Sequence, residues 1–296
     1  MCAKVYYVGG ESEHQSLTRL LLELKNDASE KIIYLHPGVY DIYREYRAEN
    51  MPTPPDDIKA SDYLERCAFL PENTSLIGLG NVLLDWNPPK DEITAGEART
   101  WSPLNVRYGC HVENISIHCK YGRYCIHDDS HNAEADRGTV HRYKNVRCDY
   151  EYSEDGKGFN DTIGFGWAQK TRIEFEDCEL VMRGCPADSP HHSVFYGHGA
   201  SGDKPLKAES PCLIIKNCLI LGGKENNRTI RLQCLNRVPL CIRTVFESCY
   251  IEGGLDVNLY REDAVHAYDV TFLHSGHPEA KIDRPETNPY PIRYYE

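Results

Sequence analysis

A histidine and two aspartates stand together in YCIHDDS, as His127, Asp128 and Asp129. Imidazole titrates near neutrality and a carboxylate takes or gives a proton, so these types can share acid–base work or hold hydroxyl groups. Downstream, SVFYGHG carries Tyr196 and His198, TIRLQCL carries Arg231 and Gln233, and LDVNLYR carries Asn258 and Tyr260. Each polar set alternates with apolar residues, the pattern of a strand with one buried face. With Ile126, Phe195, Ile230, Leu232, Cys234, Val257 and Leu259 turned inward, the polar residues turn out. Asp128 would nominally point inward, so it is expected at the strand end, where the chain turns. In TIGFGWA, Ile163, Phe165 and Trp167 go in, and the outward positions are Gly164 and Gly166.

These segments need a scaffold that brings them side by side, and a repeat supplies it. VENISIHC, YKNVRCDY, FEDCELVM, IKNCLILG, FESCYIEG and AYDVTFLH share a polar residue followed at once by a small apolar one and then alternation. The anchors Asn114, Asn145, Asp177, Asn217, Ser248 and Asp269 recur at intervals of roughly 21 to 40 residues, the range of solenoid repeats. PENTSLIGLGNVLLDW (71–86) is a looser, earlier copy. Two strands per period, short Gly or charged turns and few helical patterns predict stacked coils of parallel β-structure, an all-β right-handed parallel β-helix. A β-sandwich is the alternative, but its Asn-Gly and Asp-Gly hairpin turns are scarce. Cys178, Cys218 and Cys249 fall where Ile115, Val146 and Val270 stand in other coils, so an interior ladder of free thiols is expected. An odd total of 13 cysteines agrees with free thiols.

Stacked coils would line the outward residues into a stripe: His127/Asp129, Gly164/Gly166, Tyr196/His198, Arg231/Gln233, Asn258/Tyr260. Rungs about 4.8 Å apart would leave the two glycines as a bare floor between histidine rungs about 10 Å apart. The competing view is a plain solvated face, where strands carry polar residues and Gly merely eases a tight coil.

At the ends, SLTRLLLELKND (16–27) has leucines at helical spacing after Ser16, and reads as a helix capping the open apolar end of the first coil. Residues 43–70 read as an excursion, and 277–296 as an extended tail without a strand pattern, so that 1–296 forms a single domain. A net charge of -12 argues against a nucleic-acid backbone as partner. No apolar run spans a membrane, and the first residues lack a secretory signal, which suggests a cytoplasmic or phage-released product. A zinc site from Cys110, His111, His118, Cys119, Cys125 and His127 lacks paired C-x₂₋₄-C spacing. His191 and His192 read as loop residues. EYSEDGKGFND (151–161) is acidic without the order of a calcium loop and reads as a solvated turn.

The capping helix, KIIYLHPGVYDI, NTSLIGLGNVLLDW and the repeated coils together resemble the pectin-lyase-like superfamily of right-handed β-helices. The N-terminal half, with SLTRLLLELK, PGVYDIYREY, SPLNV and GRYCIHDDSHN, is similar to β-helix proteins of prophages and gut Firmicutes. The resemblance implies the fold, and a function among lyases, hydrolases, isomerases and inert phage fibres. A pectate-lyase-type reaction would need Ca²⁺ on Asp128 and Asp129, with Arg231 as the cation. Two carboxylates are few for that ion, and otherwise no cofactor is expected. A polygalacturonase-type reaction would use Asp128-Asp129, the GHG around His198, and Arg231. The family's NTD motif is missing, Gln233 replaces its Lys, and a whole coil separates the DD and GHG motifs. The expected function is recognition, and cleavage if catalysis exists, of a polysaccharide or oligosaccharide along the stripe. Asp128, Asp129, His198 and Arg231 are its candidate catalytic residues; His127, Tyr196, Gln233, Asn258 and Tyr260 are its candidate substrate contacts. The rival is a non-catalytic fibre module, for which a homotrimer is the expected assembly.

Overall fold

The computed structural model describes residues 2–57, 66–129, 139–153, 161–166, 172–186, 192–198, 212–235, 237 and 241–296. Among them, strands join into a 15-stranded sheet and an 8-stranded sheet. Neighbouring strands run parallel in both, in register from coil to coil. Hairpins contribute none of these pairings, so the chain is a parallel β-helix and not a sandwich. Crossovers between parallel strands of one sheet make such a coil right-handed.

The repeat anchors are where the coil turns. Asn114, Asn145, Asp177, Asn217 and Ser248 all have left-handed backbone, with φ between 49° and 57°. Asn and Asp tolerate that region because their short polar side chains bond locally. Asn145 donates from Nδ2 to Asn114 Oδ1 at 2.8 Å. The sixth anchor differs from expectation. Asp269 lies inside the strand Tyr268–Leu273 beside Arg243, and His274 takes the left-handed turn at φ 47°. The Asp-Val pair of AYDVTFLH imitates the signature through ordinary strand alternation. Packing sets the true register: Phe272 stacks on Phe246, ring centroids 4.9 Å apart, which puts His274 next to Ser248.

The interior ladder follows these turns. Register places Ile115 beside Val146 and, by the flanking pairs, Val146 beside Cys178, then Cys218, then Cys249. All three cysteines are buried and free. Ser275, not Val270, continues the ladder, its Oγ accepting from the Cys249 N–H at 3.0 Å.

Helix α1 (Leu17–Glu23) begins as expected: Ser16 Oγ accepts from the Arg19 N–H, and Leu17, Leu20 and Leu21 are buried. Helix α2 (Ile42–Ala48) opens the excursion, and the excursion closes with the strand Phe69–Leu70. The tail is also more regular than expected. It adds Ala280–Ile282 to the smaller sheet and Arg293–Tyr295 to the larger one, so it is the final coil. Short three-residue strands carry too little alternation to be read in sequence. No helix is long and apolar enough to cross a membrane, among the described residues.

Candidate functional site: the outer face of the smaller sheet

The five segments that carry the candidate residues are consecutive strands of the smaller sheet: Ile126–Asp129, Ile163–Gly166, Phe195–His198, Ile230–Cys234 and Leu255–Leu259. Ile126, Ile163, Phe165, Phe195, Ile230, Leu232, Cys234 and Val257 pack into the core. Register then defines two columns. One runs Asn105, His127, Gly164, Tyr196, Arg231, Asp256; the other runs Asp129, Gly166, His198, Gln233, Asn258. His198 and Arg231 therefore stand on neighbouring rungs, with Tyr196 directly beside Arg231 and Gln233 directly beside His198.

Three placements differ from the sequence reading. Asp128 does not sit at a turn: it is a mid-strand residue paired with Phe165, 1% exposed, pointing into the lumen. There its oxygens lie 2.8 and 2.9 Å from His141 Nδ1, and Tyr143 donates its hydroxyl at 2.6 Å. This buried polar cluster, spanning the interior to the larger sheet, satisfies a carboxylate that hydrocarbon alone would not tolerate. Tyr260 does not share a rung with Arg231 and Gln233. Leu255 aligns with Ile230, which brings Asp256 and Asn258 to those positions and leaves Tyr260 one step beyond, 66% exposed. The glycine floor is not bare either. A Cβ on Gly164 would meet the Tyr124 ring at 2.5 Å, so this ring occupies the space the glycine leaves. Trp167, His191 and the side chain of Asp129 fall outside what the structure describes.

The face is far drier than a solvated strand edge. His127, Arg231, Gln233 and Asp256 are all buried. His127 has Nδ1 3.2 Å from Asn105 Oδ1 and its ring 5.3 Å from that of Tyr124. A hydrogen-bonded chain runs along the C-terminal rungs. Tyr196 donates to Gln233 Oε1 at 2.7 Å, Gln233 Nε2 donates to Asn258 Oδ1 at 3.1 Å, and Asn258 Nδ2 donates to Asp256 Oδ2 at 3.3 Å. Asp256 is also paired with Arg228 at 3.1 Å. Two arginines lie on tyrosine rings: Arg231 is 4.8 Å from the Tyr196 centroid and Arg123 is 5.0 Å from that of Tyr124.

Asp161 completes the group. It precedes the strand Ile163–Gly166, is wholly buried, and accepts at Oδ1 from the Ser193 N–H (2.7 Å) and Oγ (2.5 Å). Burial pushes its titration up to about 6, against the pull of Arg231, Ser193 and Arg123. Asp161, the last residue of the acidic stretch 151–161, is thus a buried carboxyl, while 154–160 lie outside the described residues. Burial, with Tyr124 nearby, also raises the Tyr196 phenol. Among the described residues, no three His, Cys, Asp or Glu side chains are grouped to hold a metal ion.

Asp161, Asp256, Arg123 and Tyr124 were missed by sequence reasoning, and two of them left a signal. Asp-Thr-Ile at 161–163 and Arg-Thr-Ile at 228–230 repeat a polar residue ahead of Thr-Ile where the chain enters this sheet. The alternation that turns Asn258 outward also turns Asp256 outward.

No protein-family model matches the chain, and no curated protein matches it. Among solved structures it is similar to the pectin methylesterase from Aspergillus niger. The penultimately deglycosylated form has 12% identity and a TM-score of 0.43, covering 97% of this chain and 94% of that one. The deglycosylated form has 12% identity and a TM-score of 0.41 over the same shares.

Proposed function

We propose that the outer face of the smaller sheet is a carbohydrate-recognition site whose ligand carries an acidic sugar, with Arg231 as the receptor of its carboxylate. The observation that carries this reading is the state of Arg231. The residue is 9% exposed, its Nε is buried without a hydrogen-bond partner, and the nearest carboxylate in register, Asp256, is paired with Arg228 instead. A desolvated guanidinium nitrogen without an acceptor is costly, and a planar carboxylate matches the fork of donors to which it belongs. Tyr196 supports the guanidinium from one side, and His198, Gln233 and Asn258 line the adjacent column for hydroxyl groups.

The described carboxyl suited to proton transfer is that of Asp161, whose titration near 6 fits an acid or base at neutral pH. The test is a panel of acidic and neutral oligosaccharides, scored for binding and for release of reducing or unsaturated ends. Acidic members bind, and Arg231→Ala weakens them by about 1.5–3 kcal/mol, the loss of a hydrogen bond to a charge. Equal binding of neutral and acidic members by parent and variant removes the assignment. Binding without turnover identifies a lectin, and failure of every glycan to bind identifies a structural module.

A further inference from the structure

Three thiols stacked in one ladder have no part in the recognition face. Cys178, Cys218 and Cys249 sit in register at the links between paired parallel strands of adjacent coils, where a rung spacing of about 4.8 Å lies within the Cα separation a disulfide accepts. The Cys178 N–H donates to Cys218 Sγ at 3.4 Å, which holds the central sulfur over the first coil. Each sulfur also bonds a carbonyl two residues back, Glu176, Lys216 or Glu247. Cys178, 2% exposed, backs the wall of a groove of about 510 Å³ beside Asn145, Asp177 and Asn217, the side from which a small oxidant would approach.

We propose that this ladder is a thiol-oxidation site, at which a hydroperoxide converts Cys178 and Cys218 into a disulfide that can pass on to Cys249. The Cys178 thiolate attacks the peroxide, an S–O bond forms, the O–O bond breaks, and hydroxide leaves as water with the thiol proton. Cys218 then attacks the sulfenic sulfur, an S–S bond forms, and the hydroxyl leaves as water with the Cys218 proton. Two thiols and one hydrogen peroxide give one disulfide and two waters. Cys249 thiolate can next attack Cys218 sulfur and expel Cys178 as thiolate, moving the bridge by one rung. Cys218 lies within hydrogen-bonding reach of both neighbouring sulfurs, so its single thiol proton can favour a thiolate at Cys178 or at Cys249 in turn, against the burial that raises each. A second thiol cluster, Cys119, Cys125 and Cys148, serves as the comparison. Its three thiols are fully buried, and burial raises Cys125 and Cys148.

The experiment treats the full chain with one equivalent of hydrogen peroxide, alkylates remaining thiols under denaturing conditions, and maps linked peptides by mass spectrometry. The expected result is loss of two of 13 thiols, with Cys178–Cys218 and Cys218–Cys249 links and none within the core cluster. Cys218→Ser removes both links, whereas Cys178→Ser keeps Cys218–Cys249. An unchanged thiol count, or links spread equally over the core cluster, overturns the proposal. The parent's peptide map alone decides the matter where a variant fails to fold.

Discussion

Arg231 and Asp161 are the two residues on the recognition face whose burial is hardest to explain by packing. A guanidinium can rest on an aromatic ring, as Arg231 does on Tyr196, but the ring leaves the in-plane Nε donor without an acceptor. Asp161 spends one oxygen on Ser193, while its Oδ2 is buried without a partner. Its titration has a consequence for stability, with a definite sign. A carboxyl near 6 in the folded chain against an ordinary 3.8 binds more protons folded than unfolded between those values. Stability therefore falls as pH rises through that window, and the whole loss of about 3 kcal/mol is present above pH 6. Asp161→Asn keeps an oxygen for Ser193 and removes the charge. Denaturant melts from pH 3.5 to 7 should show the variant gaining on the parent by about that amount as pH rises. Parallel pH profiles for the two proteins would mean that Asp161 is not held in this buried environment.

Strands of four or five residues position these side chains, and their register carries more information than their existence. The five strands of the face, the inward apolar residues and the neighbouring rungs of His198 and Arg231 were legible in sequence, because period-two alternation is strong in each segment. The register of Leu255–Leu259 was not, because LDVNLYR offers two alignments with the same alternation. Only the packing of Leu255 against Ile230 chooses the one that brings Asp256 beside Arg231. Asp128 defied the same logic, since alternation correctly turned it inward and only the unseen partners His141 and Tyr143 make that tolerable. Glycines tell a similar story: Gly164 and Gly197 are not gaps for a ligand but clearances for the rings of Tyr124 and Phe165. At Gly197, a Cβ would meet the Phe165 ring at 2.5 Å inside the core. Gly197→Ala should lower stability by about 1–3 kcal/mol, the usual effect of overpacking, measured by urea unfolding. An unchanged midpoint would show that the Phe165 ring is placed elsewhere.

Over the whole molecule, stacking makes each coil depend on its neighbours, with α1 over the first coil and the strands Ala280–Ile282 and Arg293–Tyr295 completing the last. The two sheets divide their outer surfaces by chemistry. The larger sheet carries paired charges in rows, such as Arg142–Glu174, Lys144–Glu176 and Lys216–Glu247. The smaller one buries Arg231 with its Nε unpartnered. Charges already matched across rungs need no ligand, whereas the open Nε of Arg231 on the smaller sheet leaves a place for one, and the proposed recognition site rests on that asymmetry. Hydrogen–deuterium exchange with and without the best-binding acidic oligosaccharide locates the ligand most directly. The expected result is added protection in peptides covering 124–129, 193–198 and 229–235, lost in Arg231→Ala, with the larger sheet unchanged. Protection confined to the larger sheet, or retained in full by Arg231→Ala, would contradict the assignment.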